Sequence, residues 1–251
     1  MLKDKKVMIV VPQDEASVII TKVENKKAEF EIIGNIKKDV IFDMEAYLND
    51  ATMGIIRKKD DKDAVVLELW EENSVKSGDI LKIKNTIKCK DKILYGFNLC
   101  VEISSRLKEY LLVNLNNDVN DIHFTATNSE NSVKSEVLSV LPEIIIIAYP
   151  VNATENFEVS KGCGIVFKDG NAVTEPNLRD FVIKTAERNN IPVQAYIGSQ
   201  MSLIETLGII GSGAKVIPIC IPVSYLNTRN EIVDINDIEA TASLILKIIG
   251  E

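Results

Sequence analysis

The sequence predicts an α/β fold, a mixed sheet flanked by helices, into which a small β domain is inserted. Three observations predict it. In the C-terminal two-thirds, short β-branched runs alternate with helix-length amphipathic stretches, the pattern of strands joined by helical connections. A first apolar run, "VMIVV" from Val7 to Val11, stands apart from these. Between them, from Val18 to about Ile87, short alternating segments are separated by turn residues, without helical periodicity. The expected organisation is residues 1–17 together with 88–251 as the α/β domain, and residues 18–87 as the inserted β domain.

Taken in order, Val7–Val11 reads as a buried strand. Val18–Val23 and Ala28–Ile33 read as two strands joined by the turn "ENKK", with alternation in "AEFEI". "FDMEAYLNDATMGIIRK" holds more β-prone material, Ala64–Leu69 alternates again, and "SVKSGDILKI" places a Ser-Gly-Asp turn before Ile80, Leu81 and Ile83. The character then changes. Leu99, Ile103, Leu107 and Leu111 recur every four residues and predict an amphipathic helix. "DIHFTAT" predicts a strand, and "NSVKSEVLSVL" a helix starting at Asn131 or Ser132. "EIIIIAYP" has the continuous β-branched character of a strand covered on both faces. A helix introduced by Pro176 and Asn177 follows, then the strand "PVQAYI", a helix with a Gly-rich loop in "SLIETLGIIGSGAK", the strand "VIPICIPV", and a last helix starting at Asp234 or Asn236.

The totals exclude several function classes. With 251 residues, 46% of them hydrophobic and 26% charged, the chain has the balance of a soluble globular protein with a sizeable core. A net charge of −8 and the lack of a basic cluster argue against a nucleic-acid or anionic-membrane partner. The apolar run in "MLKDKKVMIVV" is too short for a signal-peptide core, and no stretch reaches transmembrane length. Cys89, Cys100, Cys163 and Cys220 form no CxxC pair, so reduced thiols and a cytoplasmic location are expected.

Few residues carry chemistry on their own. His123, the one histidine, sits inside a predicted strand, which points to a structural role and restricts any imidazole-dependent zinc or nucleophile device. "GIIGSGAK" (Gly208–Lys215) lacks phosphate-loop spacing and precedes a strand, so it reads as a plain connection. Asp14 and Glu15 in "PQDE" follow the first strand, and Glu130 in "NSEN" follows another, at strand ends where α/β proteins place functional groups.

Read together, "VMIVVPQDEASVIITKVENKKAEFEIIG", "VKSGDILKI", "KGCGIVFKDGNAVTEPNLRDFVIKTAERNNIPVQ" and "IPVSYLNTRNEIVDINDIEATASLI" resemble, in this order, the tetrahedral aminopeptidases. This dinuclear-metal peptidase family includes glutamyl aminopeptidases and proteins labelled cellulase-M-type endoglucanases. The resemblance covers nearly the whole chain and implies the zinc-dependent exopeptidase fold, with the β insert as a dimerisation module. The family's helical segment before the first strand and part of its insert look missing or trimmed.

The family's site does not carry over with the fold. The first ligand, the histidine of an H-x-D-E turn, corresponds to Pro12. The bridging aspartate falls near Phe97, the general-base glutamate on Asn128, and its ligand neighbour on Ser129. A further aspartate corresponds to Tyr149 and the last histidine to Asn227, while "SQMSL" replaces the substrate-side Gly-Thr-Asp. Of the motif acids, Asp14 and Glu15 stay in place. Two divalent ions, zinc or cobalt in the family, need several anionic or imidazole ligands, so neither metal nor another cofactor is expected here. The resemblance implies a catalytically inactive homologue that acts by assembly or by binding a peptide or partner protein. A homo-oligomer formed through the insert, or a complex with an active paralogue, is expected. Two alternatives stay open: a metal-dependent aminopeptidase rebuilt around Asp14, Glu15 and Glu130, and a small-ligand or carbohydrate-binding protein that uses the old cleft.

Overall fold

In the computed structural model, which describes residues 5–12, 15–34, 36–58, 65–115, 122–127, 130–199 and 213–250, the first apolar run forms β1 (Val7–Pro12). Every residue of β1 is buried, as a run without polar alternation requires. The chain then leaves the sheet. β2 (Ser17–Glu24) and β3 (Lys27–Ile33) form a hairpin, and Lys38–Ile41 make a 3-10 turn. β4 (Glu45–Leu48), β5 (Ala51–Lys58), β6 (Val65–Leu69) and β7 (Ile80–Ile83) follow. The β4–β5 turn has Asn49 and Asp50 at φ of 50° and 65°, the double left-handed conformation that Asn and Asp tolerate best. These six strands close into an antiparallel barrel in the order β2-β3-β6-β5-β4-β7. The alternation in "AEFEI" is the reason: Ala28 and Phe30 point into the barrel core, and Glu29 and Glu31 point out. At Gly54, a Cβ would lie 2.1 Å from the Glu68 carbonyl oxygen, so β5 and β6 approach only because no side chain is there.

The chain re-enters through β8 (Lys88–Lys90) and β9 (Ile93–Gly96), then α1 (Leu99–Asn114), β10 (Ile122–Thr127) and α2 (Glu130–Val140). β11 (Ile144–Asn152), β12 (Cys163–Asp169) and β13 (Ala172–Val173) precede α3 (Pro176–Arg188). β14 (Val193–Ile197), β15 (Lys215–Val223), β16 (Glu231–Asp234) and α4 (Ile235–Gly250) complete the described elements. The main sheet runs β10-β1-β11-β15-β12-β13, with β14 beside β12. β10, β1, β11 and β15 are mutually parallel, and β12 is antiparallel to β15, so the sheet is mixed. β16, β9 and β8 form a separate three-stranded sheet that links the barrel to the last helix.

Alternation along the central strands builds two cores. Val7, Ile9 and Val11 of β1, with Ile144, Ile146 and Ala148 of β11, face a layer of α1, α3 and α4. Met8 and Val10, with Ile145, Ile147 and Tyr149, face α2 through Val133 and Val137. Helices on both faces and the barrel agree with the fold that the sequence predicts.

The α2 start falls at Glu130, one or two residues ahead of the cap expected at Asn131 or Ser132. At α4 the Asp234 carboxylate accepts the Asn236 N–H at 2.8 Å, which makes Asp234 the capping residue of the two considered. Most of "SLIETLGIIGSGAK" lies outside the described residues. None of the four cysteines is in a disulfide; Cys89 is exposed and the other three are buried. His123 lies half-buried on the sheet-edge strand, its Nε2 3.5 Å from the Glu136 carboxylate of α2. Among the described residues no helix is long and apolar enough to cross a membrane.

Candidate functional site

A cleft of about 130 Å³ opens at the C-terminal ends of the parallel strands β1 and β11, the edge at which α/β sheets place functional groups. Val10 of β1 pairs with Ile147 of β11, and continuing that register brings Pro12 level with Tyr149 at its base. The start of α1 contributes Asn98 and Cys100. Asp169 and Tyr196 enter from the ends of β12 and β14, and Asn227 and Glu231 from the β15–β16 connection. Ala16, Gly34 and Ile36, beside the barrel strands, form the opposite wall.

Each of these groups is fixed by its neighbours. The Pro12 carbonyl accepts the Ser104 hydroxyl at 2.8 Å and the Cys100 thiol at 3.4 Å, so the end of β1 is tied to α1 through the backbone. Tyr149 is 1% exposed, and its hydroxyl donates to Asp169 Oδ2 at 3.0 Å. Burial, followed by the neighbouring Cys220 and Asp169, holds the Tyr149 phenol far above the ordinary tyrosine range, so it stays neutral. Tyr196 packs its ring against Phe157 at a centroid distance of 5.0 Å.

Asn98 and Asn227 both adopt the left-handed conformation, with φ of 56° and 64°, which asparagine accepts more readily than most residues. Asn98 makes no side-chain cap on α1. That task falls to Glu231: its Oε2 accepts the Leu99 N–H at 2.5 Å, and its Oε1 accepts the Asn227 N–H at 2.7 Å. One buried carboxylate therefore joins the first turn of α1 to the β15–β16 connection. Burial pushes its pKa up to about 7, against the two backbone hydrogen bonds that lower it.

Pro12, Tyr149 and Asn227, three positions singled out from the sequence, converge on this cleft. Phe97 does not: its ring is part of the barrel core, and its neighbour Asn98 lines the cleft instead. Glu15 forms an ion pair with Lys82 at 2.9 Å. Asp14, Asn128 and Ser129 lie outside the described residues, and Glu130 opens α2. Sequence reading missed Asp169, Tyr196 and Glu231. Each is one polar residue in or next to an apolar strand, and only its burial marks it out.

The donor chemistry can be compared with what a dinuclear metal centre requires. Proline offers no side-chain donor, the buried Tyr149 phenol is neutral, and an asparagine amide is a weak zinc ligand. The two carboxylates lining the cleft, Asp169 and Glu231, already accept hydrogen bonds from the protein. Among the described residues no group of three or more His, Cys, Asp or Glu could hold a metal ion. The described side chains do not make up the ligand set of such a centre.

Comparison with known proteins places this architecture. A relative from Acetivibrio thermocellus named "Putative aminopeptidase" is 25% identical over 283 residues, spanning 98% of this chain and 83% of that protein. The solved aminopeptidase of the archaeon Desulfurococcus kamchatkensis superposes with a TM-score of 0.83 at 18% identity, covering 99% of this chain and 80% of that one. The Pyrococcus horikoshii TET1 peptidase, which can assemble into a tetrahedron or a large octahedral shell, superposes with a TM-score of 0.81 at 17% identity, covering 98% and 84%. Residues 104–244, more than half of the chain, match the M42 glutamyl aminopeptidase family. With the sheet, the inserted barrel and the cleft in that order, the chain belongs to the M42 glutamyl aminopeptidase family.

Proposed function

We propose that this chain is a non-hydrolytic member of its family, which acts by assembly and by binding a peptide or partner protein. The observation that carries this reading is the convergence of Pro12, Tyr149 and Asn227 on one cleft. By resemblance these positions hold metal ligands in the family; here none supplies a carboxylate or an imidazole. Without a metal-bound water, the family's chemistry has no nucleophile. The general-base position, Asn128, offers an amide that cannot take up a proton at neutral pH. No resident cofactor is needed for the proposed role.

The test is metal content by mass spectrometry, after incubation with zinc, cobalt and manganese and dialysis. Well under one equivalent retained per chain supports the reading. One or two equivalents retained would overturn it in favour of a rebuilt hydrolase, with Asp14, Glu15 and Glu130 as the acids to examine.

For assembly, we propose a homo-oligomer formed through the barrel. Its surface carries exposed Ile33, Trp70 and Ile80 at 37%, 51% and 52% of full exposure, apolar side chains that such an interface would use. Light scattering on the purified chain tests this, and a monomer at micromolar concentration would exclude it. An active paralogue, co-purified or co-expressed, is the other partner this role allows.

A further inference from the structure

We propose that Arg229 is a clasp that holds the inserted barrel against the α/β domain beside the cleft. When it lets go, the barrel turns about its two chain connections and the cleft widens. The step from widening to peptide entry rests on the function proposed above; the clasp itself does not.

The cleft lies between two bodies. Ala16, Gly34 and Ile36 form the barrel side, and Asn98, Tyr149, Leu226, Asn227 and Glu231 belong to the α/β side. The chain passes between the bodies twice, after β1 and after β7. Among the described residues no barrel strand pairs with a strand outside the barrel. Phe97, which follows β9 and is buried in the barrel core, supplies a pivot. A body attached in this way turns unless something else holds it.

Arg229 is placed to hold it. Its Nε donates to the Val40 carbonyl at 2.5 Å, and its Nη2 donates to the Phe42 carbonyl. Both acceptors lie at the end of the 3-10 turn Lys38–Ile41, where a short helix leaves backbone carbonyls for outside donors. Ile41 of the same turn is fully buried in the barrel core, so a pull on the turn is a pull on the barrel. At its other end Arg229 stands in the β15–β16 connection, between the cleft residues Asn227 and Glu231. That connection is stiff. Glu231 holds the Asn227 N–H, and Thr228 donates to the Tyr225 carbonyl through both its N–H and its hydroxyl. One side chain thus ties the two walls together through two firmly rooted segments.

Two observations make this a clasp rather than a permanent joint. Arg229 is exposed and its acceptors are neutral carbonyls, so water can take over these bonds at modest cost. The cleft of about 130 Å³ is also small beside the roughly 300–1,000 Å³ of ordinary ligand pockets, so a peptide needs it wider.

The protein's own thiols provide the test. Cys100 lines the cleft and is 8% exposed, Cys89 is exposed, and Cys163 and Cys220 are fully buried. The native full chain is treated with N-ethylmaleimide, and modification of each cysteine is timed by peptide mass spectrometry. Cys89 reports the reagent, and Cys163 and Cys220 report unfolding. Arg229→Ala should speed labelling of Cys100 about tenfold, the scale of one hydrogen bond to a charged group, with Cys163 and Cys220 still protected. Arg229→Lys keeps the charge and one donor and should fall between. A second readout is energy transfer from Trp70, the one tryptophan, on the barrel, to a dye placed on Cys89 of β8 by brief labelling. Dilution into excess unlabelled Trp70→Phe chain removes transfer between copies. The distribution of transfer should shift and broaden in Arg229→Ala. Cys100 labelling within about twofold of the parent chain, labelling in step with Cys163 and Cys220, or an unchanged transfer distribution would each overturn the inference. Retained metal in the earlier experiment overturns the non-hydrolytic reading and leaves the clasp untouched, whereas a metal-free protein with unchanged Cys100 labelling overturns the clasp alone.

Discussion

The two faces of the main sheet are made from the same strands, yet they are built differently. The face under α1, α3 and α4 is almost wholly aliphatic, with Ile9, Ile146, Ile219 and Leu244 at its centre. The face under α2 begins the same way with Met8, Val10, Ile145 and Ile147, then gives way to Tyr149, Phe157, Tyr196 and Cys220 toward the cleft. Successive residues of a strand point to opposite sides, so one strand can serve both layers. On the second face, packing and site chemistry share residues: Tyr149 is at once a core ring and a hydrogen-bond donor to Asp169. The candidate site is thus the polar end of a core layer, and substitutions there affect stability and binding together.

The strongest challenge to this contrast is Ile146→Ala on the aliphatic face. It should cost about 2–5 kcal/mol in urea unfolding, because a fully buried side chain leaves a cavity in a layer with no room to rearrange. A loss under about 1 kcal/mol would mean that this face is as adaptable as the other.

The second prediction concerns pH. Burial raises Glu231 from the ordinary value of 4.5 to about 7, and Asp237 from 3.8 to about 6. Asp237 is held by the N–H groups of Ser160 and Gly162, both at 2.7 Å. Between these limits the folded chain carries more protons than the unfolded one, so stability must fall as pH rises. The contribution is complete below pH of about 4 and is lost as pH passes through about 7. The expected loss is on the order of 3 kcal/mol for each group, read from urea midpoints, and Glu231→Gln should flatten its upper half. A stability that rises with pH across this window would contradict the assignment.

Tyr149→Phe removes one oxygen and should cost about 1 kcal/mol or slightly more, since Asp169 loses a buried donor. A neutral result would make the second face energetically like the first. The smallest effect belongs to Ile80→Ser on the barrel exterior. It should shift stability by less than about 0.5 kcal/mol, while light scattering should show a weakened oligomer.

Much of the fold could be read from residue order. β1, the β2–β3 hairpin, α1, β11, α3, β15 and α4 follow from uninterrupted apolar runs, from alternation in "AEFEI", and from the spacing of Leu99, Ile103, Leu107 and Leu111. The β8–β9 hairpin and β16 did not announce themselves. Each residue of Lys88–Lys90 is exposed, and strands of three or four residues carry too few positions for a period to emerge. At the site, Pro12, Tyr149 and Asn227 were legible because each interrupts a stretch that otherwise resembles the family. Phe97 and Asn98 were not separable, because neighbouring residues at a strand-to-helix junction point in opposite directions and the sequence does not say which faces the cleft.

By itself, the sequence determined the layer architecture and the side-chain chemistry of Pro12, Tyr149 and Asn227. Those properties reside in local periodicity and in the identity of single residues. Only the tertiary structure decided that Asp169, Tyr196 and Glu231, separated by up to 62 positions, line one cleft. The reason is physical: burial, hydrogen-bond partnership and field strength depend on what surrounds a group in space. A lone acid next to a strand looks the same in sequence whether it faces water or a closed cleft.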